Sequence, residues 1–254
     1  MIHIVGNIVI CNNMINRNIY KRPEIADNYS SKLHKRKGLC LFDMNYIQKN
    51  ILKNTKVLDL GCGTGRHLVS FGNATNITGI DISPKMIEIA NKALKKNNIK
   101  VKTIVGDMLE IDSLIKNEIF DTAIMMYHTF GSIVPARNRI LLLNKIKKLL
   151  KKDGLLLLHV HNRNHIKNLK FLFNDYFNNK FETGDKLIRS GELKGAVIHF
   201  FSEREIKKIL NSVGFEIVEF INMDFPNEEK QIKGFKKYFY SGGFIIKAQK
   251  NNKL

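Results

Sequence analysis

The stretch Val57-Leu58-Asp59-Leu60-Gly61-Cys62-Gly63-Thr64-Gly65-Arg66 takes an apolar strand straight into three glycines at alternate positions. Alternate glycines leave a turn without Cβ atoms, so a bound molecule can lie against bare backbone. The residues that follow, His67-Leu68-Val69-Ser70-Phe71, can open a helix and turn unpaired backbone N–H groups towards that molecule. A dinucleotide turn would read G-x-G-x-x-G, but here the third dinucleotide glycine would fall on Arg66. The chain also has no Gly-rich run ending in Gly-Lys-Ser/Thr of the kind that cradles a nucleoside triphosphate.

With G-x-G-x-G after VLDL, the segment resembles the first motif of the class I S-adenosylmethionine (SAM) dependent methyltransferases. A second strand, Ile77-Thr78-Gly79-Ile80-Asp81, ends on a carboxylate twenty positions after Gly61. A carboxylate there can accept both ribose hydroxyls, its bland alternative being a cap for the helix that starts near Pro84. A third strand, Val101 to Val105, ends at Gly106-Asp107-Met108. The resemblance implies that Asp107 faces the adenine amino group, with Ile82 and Met108 covering the ring. Asp107 as a plain turn residue is the competing reading. Asp59 can brace the turn or meet the amino group of the methionine moiety. The cofactor set is thus Asp59, Gly61, Cys62, Gly63, Gly65, Asp81, Ile82, Asp107 and Met108, to which the resemblance adds Met125.

Phe120 to His128 matches the family's fourth strand, whose C-terminal end meets the transferable methyl group. Ligands of open parallel sheets collect outside the carboxyl ends of the strands. Tyr127, His128, Thr129 and Phe130 are therefore the best-placed residues for chemistry. His128 is the first candidate base, since an imidazole titrates near neutral pH, although it could equally only pack beside the cofactor. His161 or Asn162 can position a substrate, and His199 is a further acid/base candidate. His159, His161 and His165 suggest a metal by residue type, but no acidic or thiolate partner stands at ligand spacing, and no metal is expected. No cysteine follows the fourth strand, so the thiolate route to a pyrimidine carbon is closed. An Asn/Asp/Ser-Pro-Pro-aromatic run is also missing there, which argues against N6-adenine transfer. An oxygen, nitrogen or carbon that a simple base can activate is left as acceptor.

Strands and helices alternate along the chain, the pattern of a parallel sheet covered on both faces. Helices are expected over 41–53, 84–97, 109–116, 136–150 and 203–212, and further strands over 155–160, 215–221 and 242–248. The resemblance implies a doubly wound seven-stranded sheet of order 3-2-1-4-5-7-6 with its last strand antiparallel. Residues 1–40 read as an N-terminal extension whose part 15–38 forms a flap, and 41–254 as one methyltransferase domain. An insertion at about 162–200, rich in aromatics, lysines and glycines, reads as a lid beyond the fifth strand. Residues 224–241, with Phe225, Phe235, Tyr238, Phe239 and Tyr240, offer a second wall.

At 254 residues, one domain with additions is the economical reading. Cysteines 11, 40 and 62 are odd in number and far apart, which fits neither a disulfide framework nor a zinc site and suggests a cytoplasmic protein. The apolar run 2–10 lacks a basic leader and is too short to span a bilayer, and Met14 is an alternative start. The net charge of +19 invites RNA as a partner, yet it comes from 33 lysines against 9 arginines, a skew that AT-rich coding also produces. Lys145, Lys147, Lys148, Lys151 and Lys152 flank the stripe Leu142, Ile146, Leu149 and Leu150, as a solvated helix face would. Three functions follow: a methyltransferase for a small molecule, an RNA (tRNA) methyltransferase, or a non-catalytic SAM-binding regulatory module. The second draws on a short likeness of Ile19-Tyr20 through Ser31 to the leader of tRNA wobble-uridine methyltransferases. The third predicts a degraded cofactor site.

Overall fold

The computed structural model describes residues 15–35, 37–168, 182–224 and 230–251. The apolar run 2–10, Cys11, the side chains of His34 and Cys40, lid residues 169–181 and Phe225 lie outside them. A seven-stranded sheet forms the centre, in the order β3-β2-β1-β4-β5-β9-β8. Its strands are β1 (Lys56–Leu60), β2 (Asn76–Asp81), β3 (Lys102–Val105), β4 (Phe120–Met125), β5 (Leu150–His161), β8 (Phe215–Asp224) and β9 (Ser241–Lys250). The first five run parallel, and β9 is antiparallel to both β5 and β8. β6 (Asp185–Leu187) and β7 (Val197–His199) form a separate antiparallel pair, so β8 and β9 are the sixth and seventh strands of the expected order.

The helices are α1 (Pro23–Lys35), α2 (Lys37–Asn50), α3 (Arg66–Phe71), α4 (Pro84–Lys96), α5 (Ile111–Leu114), α6 (Ala136–Leu149), α7 (Glu203–Ser212) and α8 (Lys237–Tyr240). α4 shows how local chemistry sets them. Ser83 caps it by accepting from the Met86 N–H, Pro84 opens it, and Met86, Ile87, Ala90 and Leu94 make its buried stripe. The run Ser202-Glu203-Arg204-Glu205 makes a capping box at the start of α7, with Ser202 and Glu205 exchanging side-chain-to-backbone bonds. One apolar cluster, including Leu58, Ile80, Phe130, Phe201 and Phe244, covers one side of the sheet. A second, including Val57, Leu68, Ile77, Ile124 and Ile245, covers the other. Among the described residues no helix is long and apolar enough to cross a membrane.

Two boundaries differ from expectation. β5 begins at Leu150, which already pairs with Phe120, and Lys151 to Gly154 bulge outwards before Leu155 resumes the pairing with Thr122. Asp153 turns this bulge with φ +59°, so the strand expected over 155–160 begins five residues earlier and is interrupted at Asp153-Gly154. The helix expected over 109–116 is a 3₁₀ turn at Met108–Glu110 followed by the single turn α5. The lid contains β6 and β7, strands of three residues that are too short to leave a period-2 signature.

Buried charges tie that small sheet to α7. His199, fully buried, sets Nδ1 2.7 Å from Asp185 Oδ1 and Nε2 2.8 Å from Glu205 Oε1. Only the imidazolium can donate to both carboxylates at once. Arg163 adds a 2.9 Å bond to Glu205 Oε2, and Arg139 holds Glu182 at 2.7 Å. Burial pushes the Glu205 carboxyl up, but His199 and Arg163 outweigh it and hold it below the ordinary 4.5. A depressed acid contributes stability that is complete above its unfolded value and lost as pH falls through its folded one. Thermal unfolding of the wild type should therefore lose more stability on acidification below pH 4.5 than that of Glu205→Gln. Parallel pH profiles would show that this latch does not contribute to folding.

Candidate active site

All three motif glycines adopt the left-handed region, with φ +76° at Gly61, +53° at Gly63 and +83° at Gly65. A Cβ at Gly61 would fall 2.5 Å from the Thr129 side chain, and one at Gly65 would fall 2.8 Å from Ala90 of α4. These two glycines allow close packing behind the turn. A Cβ at Gly63 would instead point at the Tyr29 ring, 3.5 Å away, across a cavity of about 470 Å³. That volume lies in the ligand-pocket range of roughly 300–1,000 Å³.

Asp81 closes the end of β2 beside this turn. Its Oδ2 accepts from Gly63 N–H and its Oδ1 from Ser83 N–H, both at 2.9 Å. Its backbone carbonyl also accepts from Gly106 N–H at 2.9 Å, which ties in the end of β3. Burial raises the Asp81 carboxyl to about 6; backbone N–H bonds from Ser83, Gly63 and Ile82 oppose this, and Asp59 adds to it. Tyr20, buried close by, has its phenol pushed up to about 12 by burial and then by the Asp81 charge. Asp107 caps the 3₁₀ turn through Leu109 N–H at 2.8 Å and forms an ion pair with Arg17.

Of the residues nominated from the sequence, Gly61, Gly63, Asp81, Ile82, Asp107, Met108, Tyr127, His128 and His161 line the cavity. Asp59, Cys62, Gly65 and Met125 are not among its lining. Asp59 is buried behind the turn with its Oδ2 3.1 Å from His67 Nδ1, and Cys62 lies against Gly79. Met125 is a fully buried member of the apolar core under the sheet. The three histidines weighed as metal ligands diverge: His161 lines the cavity, His165 Nδ1 accepts from Lys167 N–H, and His159 Nδ1 lies 3.7 Å from the buried Asp43. His199 belongs to the latch. Ligand atoms of Glu182, Asp185 and His199 lie within 4.8 Å of one another, but Arg139 already pairs with Glu182 and His199 with Asp185, so the group is an ion-pair network.

Tyr127 and His128 leave β4 with φ +53° and +68°, two consecutive non-glycine residues in the left-handed region. Such backbone costs about 1–3 kcal/mol per residue and concentrates at functional sites. The His128 ring stacks on His161 with centroids 3.9 Å apart, and Phe200 lies 5.3 Å from each. His128 Nδ1 accepts the His161 backbone N–H at 2.9 Å, which assigns the proton of the neutral ring to Nε2.

Several cavity residues had no signal in the sequence. Asn16 bonds Ser132 O at 2.8 Å and Val197 O at 2.7 Å, fastening the helical turn 15–20 to β7. Arg17, Tyr20, Ile25 and Tyr29 then roof the cavity from the N-terminal side, while Ile188, Glu192 and Leu193 wall it from the lid. Tyr20 and Tyr29 stand out in the sequence as tyrosines of a flap, but the contacts of Asn16 span more than a hundred residues and leave no local trace.

A sheet of order 3-2-1-4-5-7-6 with a glycine turn and a buried acid at its carboxyl edge defines a class I SAM-dependent methyltransferase. Residues 51–214 match the family described as methyltransferase domain, and the chain belongs to that family. An uncharacterized protein of Methanocaldococcus jannaschii is 31% identical over 243 residues, 90% of this chain and 89% of its own. A malonyl-acyl-carrier-protein O-methyltransferase of Acetivibrio thermocellus is 25% identical over 85% of this chain and 70% of its own. A crystal structure of a SAM-dependent methyltransferase of Methanosarcina mazei superimposes with a TM-score of 0.64 at 25% identity, over 81% of this chain and 97% of that one.

The cofactor is SAM, and the chain's own groups fit it. Gly63 presents bare backbone to the cavity, and the Asp81 carboxylate, held by backbone N–H groups, lines the same cavity, where it can accept a hydroxyl. The ionised carboxylate is the form that accepts two hydroxyls, so binding should pull the Asp81 value down from about 6. Titration calorimetry should accordingly find SAM affinity rising with pH up to about 6 and level above it, and the slope should vanish in Asp81→Asn. Affinity should drop tenfold or more in that variant, given about 1.5–3 kcal/mol for a hydrogen bond to a charged group. Unchanged affinity would remove Asp81 from the site.

Proposed function

We propose that this methyltransferase acts on a small molecule held between Tyr127, His128 and His161 on one side and the lid on the other. The lining of the cavity carries this reading, since residues of the turn 15–20, of α1 and of 188–198 gather around the strand ends. The relative from Acetivibrio thermocellus, an O-methyltransferase by name, agrees with an acceptor of this class. RNA is the weaker reading. Among the described residues lining the cavity, Arg17 is the one cation, beside the acids Asp81, Asp107 and Glu192. Lysines read as a solvated helix face are drawn to acids elsewhere, with Lys145 on Asp112 and Lys151 on Asp121.

In this reading Asp81 grips the ribose, Ile82 and Met108 flank the adenine ring, and Asp107 faces its amino group while sharing its charge with Arg17. Gly61 and Gly63 keep the turn open to the methionine moiety, braced from behind by Asp59, Cys62 and Gly65. SAM supplies an electrophilic methyl group on a sulfonium that leaves readily, so alignment and removal of one proton can suffice. The sequence nominates His128 for that proton. Its Nδ1 is occupied by the His161 N–H and its Nε2 carries hydrogen, so the ring as placed is a donor. His128 Nε2 is buried against Gly131, so that ring holds His161 by stacking, and we assign proton removal to the His161 imidazole, with Tyr127 shaping the wall against Tyr29. The acceptor atom is an oxygen, nitrogen or carbon.

Labelled methyl from SAM, added to a host extract that is then divided into RNA, protein and small molecules, should appear in the small-molecule fraction at low and high salt. Label confined to RNA and fading with salt would replace this reading with the RNA one. With the labelled fraction as substrate, His161→Ala should cut turnover by about 10²-fold or more while SAM affinity stays level. A fully active variant would exclude His161 as the base.

A further inference from the structure

Beyond the cavity, one feature of the surface has no part in holding cofactor or acceptor. Between β8 and β9 the chain carries Phe235, Tyr238, Phe239 and Tyr240 outside the core, exposed by 76%, 57%, 43% and 50%. Interleaved with them are Lys230, Lys233, Lys236 and Lys237, and no acid occurs between Lys230 and Lys250. Its root is firm: Asp224 N–H donates to Lys230 O at 2.9 Å, Ile232 N–H to Asn222 O at 2.7 Å, and Asn162 donates to Ser241 O at 2.9 Å. Asn162 follows His161, so the knob rises from the sheet edge that also carries the cavity.

We infer that residues 230–240 are a docking knob for the surface of an anionic lipid bilayer. Aromatic rings flanked by lysines suit the boundary between acyl chains and negative headgroups, where rings enter the apolar layer and ammonium groups stay with the phosphates. The arrangement of the rings favours lipid over RNA. Phe235 meets Tyr238 edge-on at 6.0 Å and Phe239 at a tilt at 5.3 Å, and Lys237 Nζ covers the Tyr238 face at 5.0 Å. Base stacking needs open ring faces, whereas insertion among lipids needs only a compact apolar tip. Charge disfavours a second copy of the chain, because two such knobs would bring like-charged lysine clusters together.

The chain contains no tryptophan, so Phe235→Trp gives a single reporter at the tip. With the full chain, its emission should shift to the blue and become shielded from an aqueous quencher on vesicles of mixed phosphatidylcholine and phosphatidylglycerol. Phosphatidylcholine alone should produce neither change. Vesicle affinity should fall about fivefold for each of Lys233→Gln, Lys236→Gln and Lys237→Gln, matching the attraction of a lysine near an anionic surface. It should be lost in Phe235→Ser/Phe239→Ser, whose cofactor affinity should equal that of the wild type. An unchanged emission spectrum on anionic vesicles would overturn the inference, as would full vesicle binding by Phe235→Ser/Phe239→Ser, which would trace the attraction to overall charge. A blue shift produced by single-stranded RNA, or by concentrating the protein alone, with none on vesicles would assign the knob to RNA or to self-association instead.

Discussion

Asp81 ties three strand ends together at one point, through its carboxylate and its backbone carbonyl. Its two oxygens hold the Gly63 and Ser83 amides, and its carbonyl holds Gly106, so the glycine turn after β1, the start of α4 and the end of β3 are positioned from a single residue. The arrangement keeps an acid out of water, which is why its carboxyl lies near 6. Without a ligand the two amide bonds only partly offset that burial. In the proposed reading a ribose hydroxyl donating to this carboxylate favours its ionised form, so that cofactor binding and turn geometry stabilise each other.

Around that point the chain builds an enclosure from parts that are distant in sequence. Asn16 joins the N-terminal turn to β7, and the His199 latch joins the same small sheet to α7. The N-terminal turn and α7 thus share one support in β7. Behind the turn sits a second buried acid, Asp43 of α2, 3.7 Å from both Arg66 and His159. It links the end of the motif to the strand that carries His161.

The fold was legible because its signals are local. Glycine spacing, an acid at a strand end, the Ser202–Glu205 capping box and apolar runs of strand length each depend on a few neighbouring residues, and together they indicate the alternating strands and helices, while the order of the strands was implied by the family resemblance. The place of Asp81 at the end of β2 beside the glycine turn could be read from the chain because it needs only a strand and a distance. The segment 15–38 could be read as a flap but its anchors could not, since Arg17 reaches Asp107 and Asn16 reaches Val197 through tertiary packing alone. The part played by His128 was legible as a position but not as a chemistry, because one backbone bond from His161 decides which ring nitrogen carries the proton. Met125 shows the limit of a resemblance carried by a strand: alternation turns that side chain into the core, away from the cavity.

The most direct test of the account is a crystal structure with S-adenosylhomocysteine bound. The ribose hydroxyls should lie on the two Asp81 oxygens, the adenine between Ile82 and Met108, and the thioether should point towards His128 and His161. A ligand bound elsewhere, or one that leaves Asp81 without a ribose contact, would contradict it.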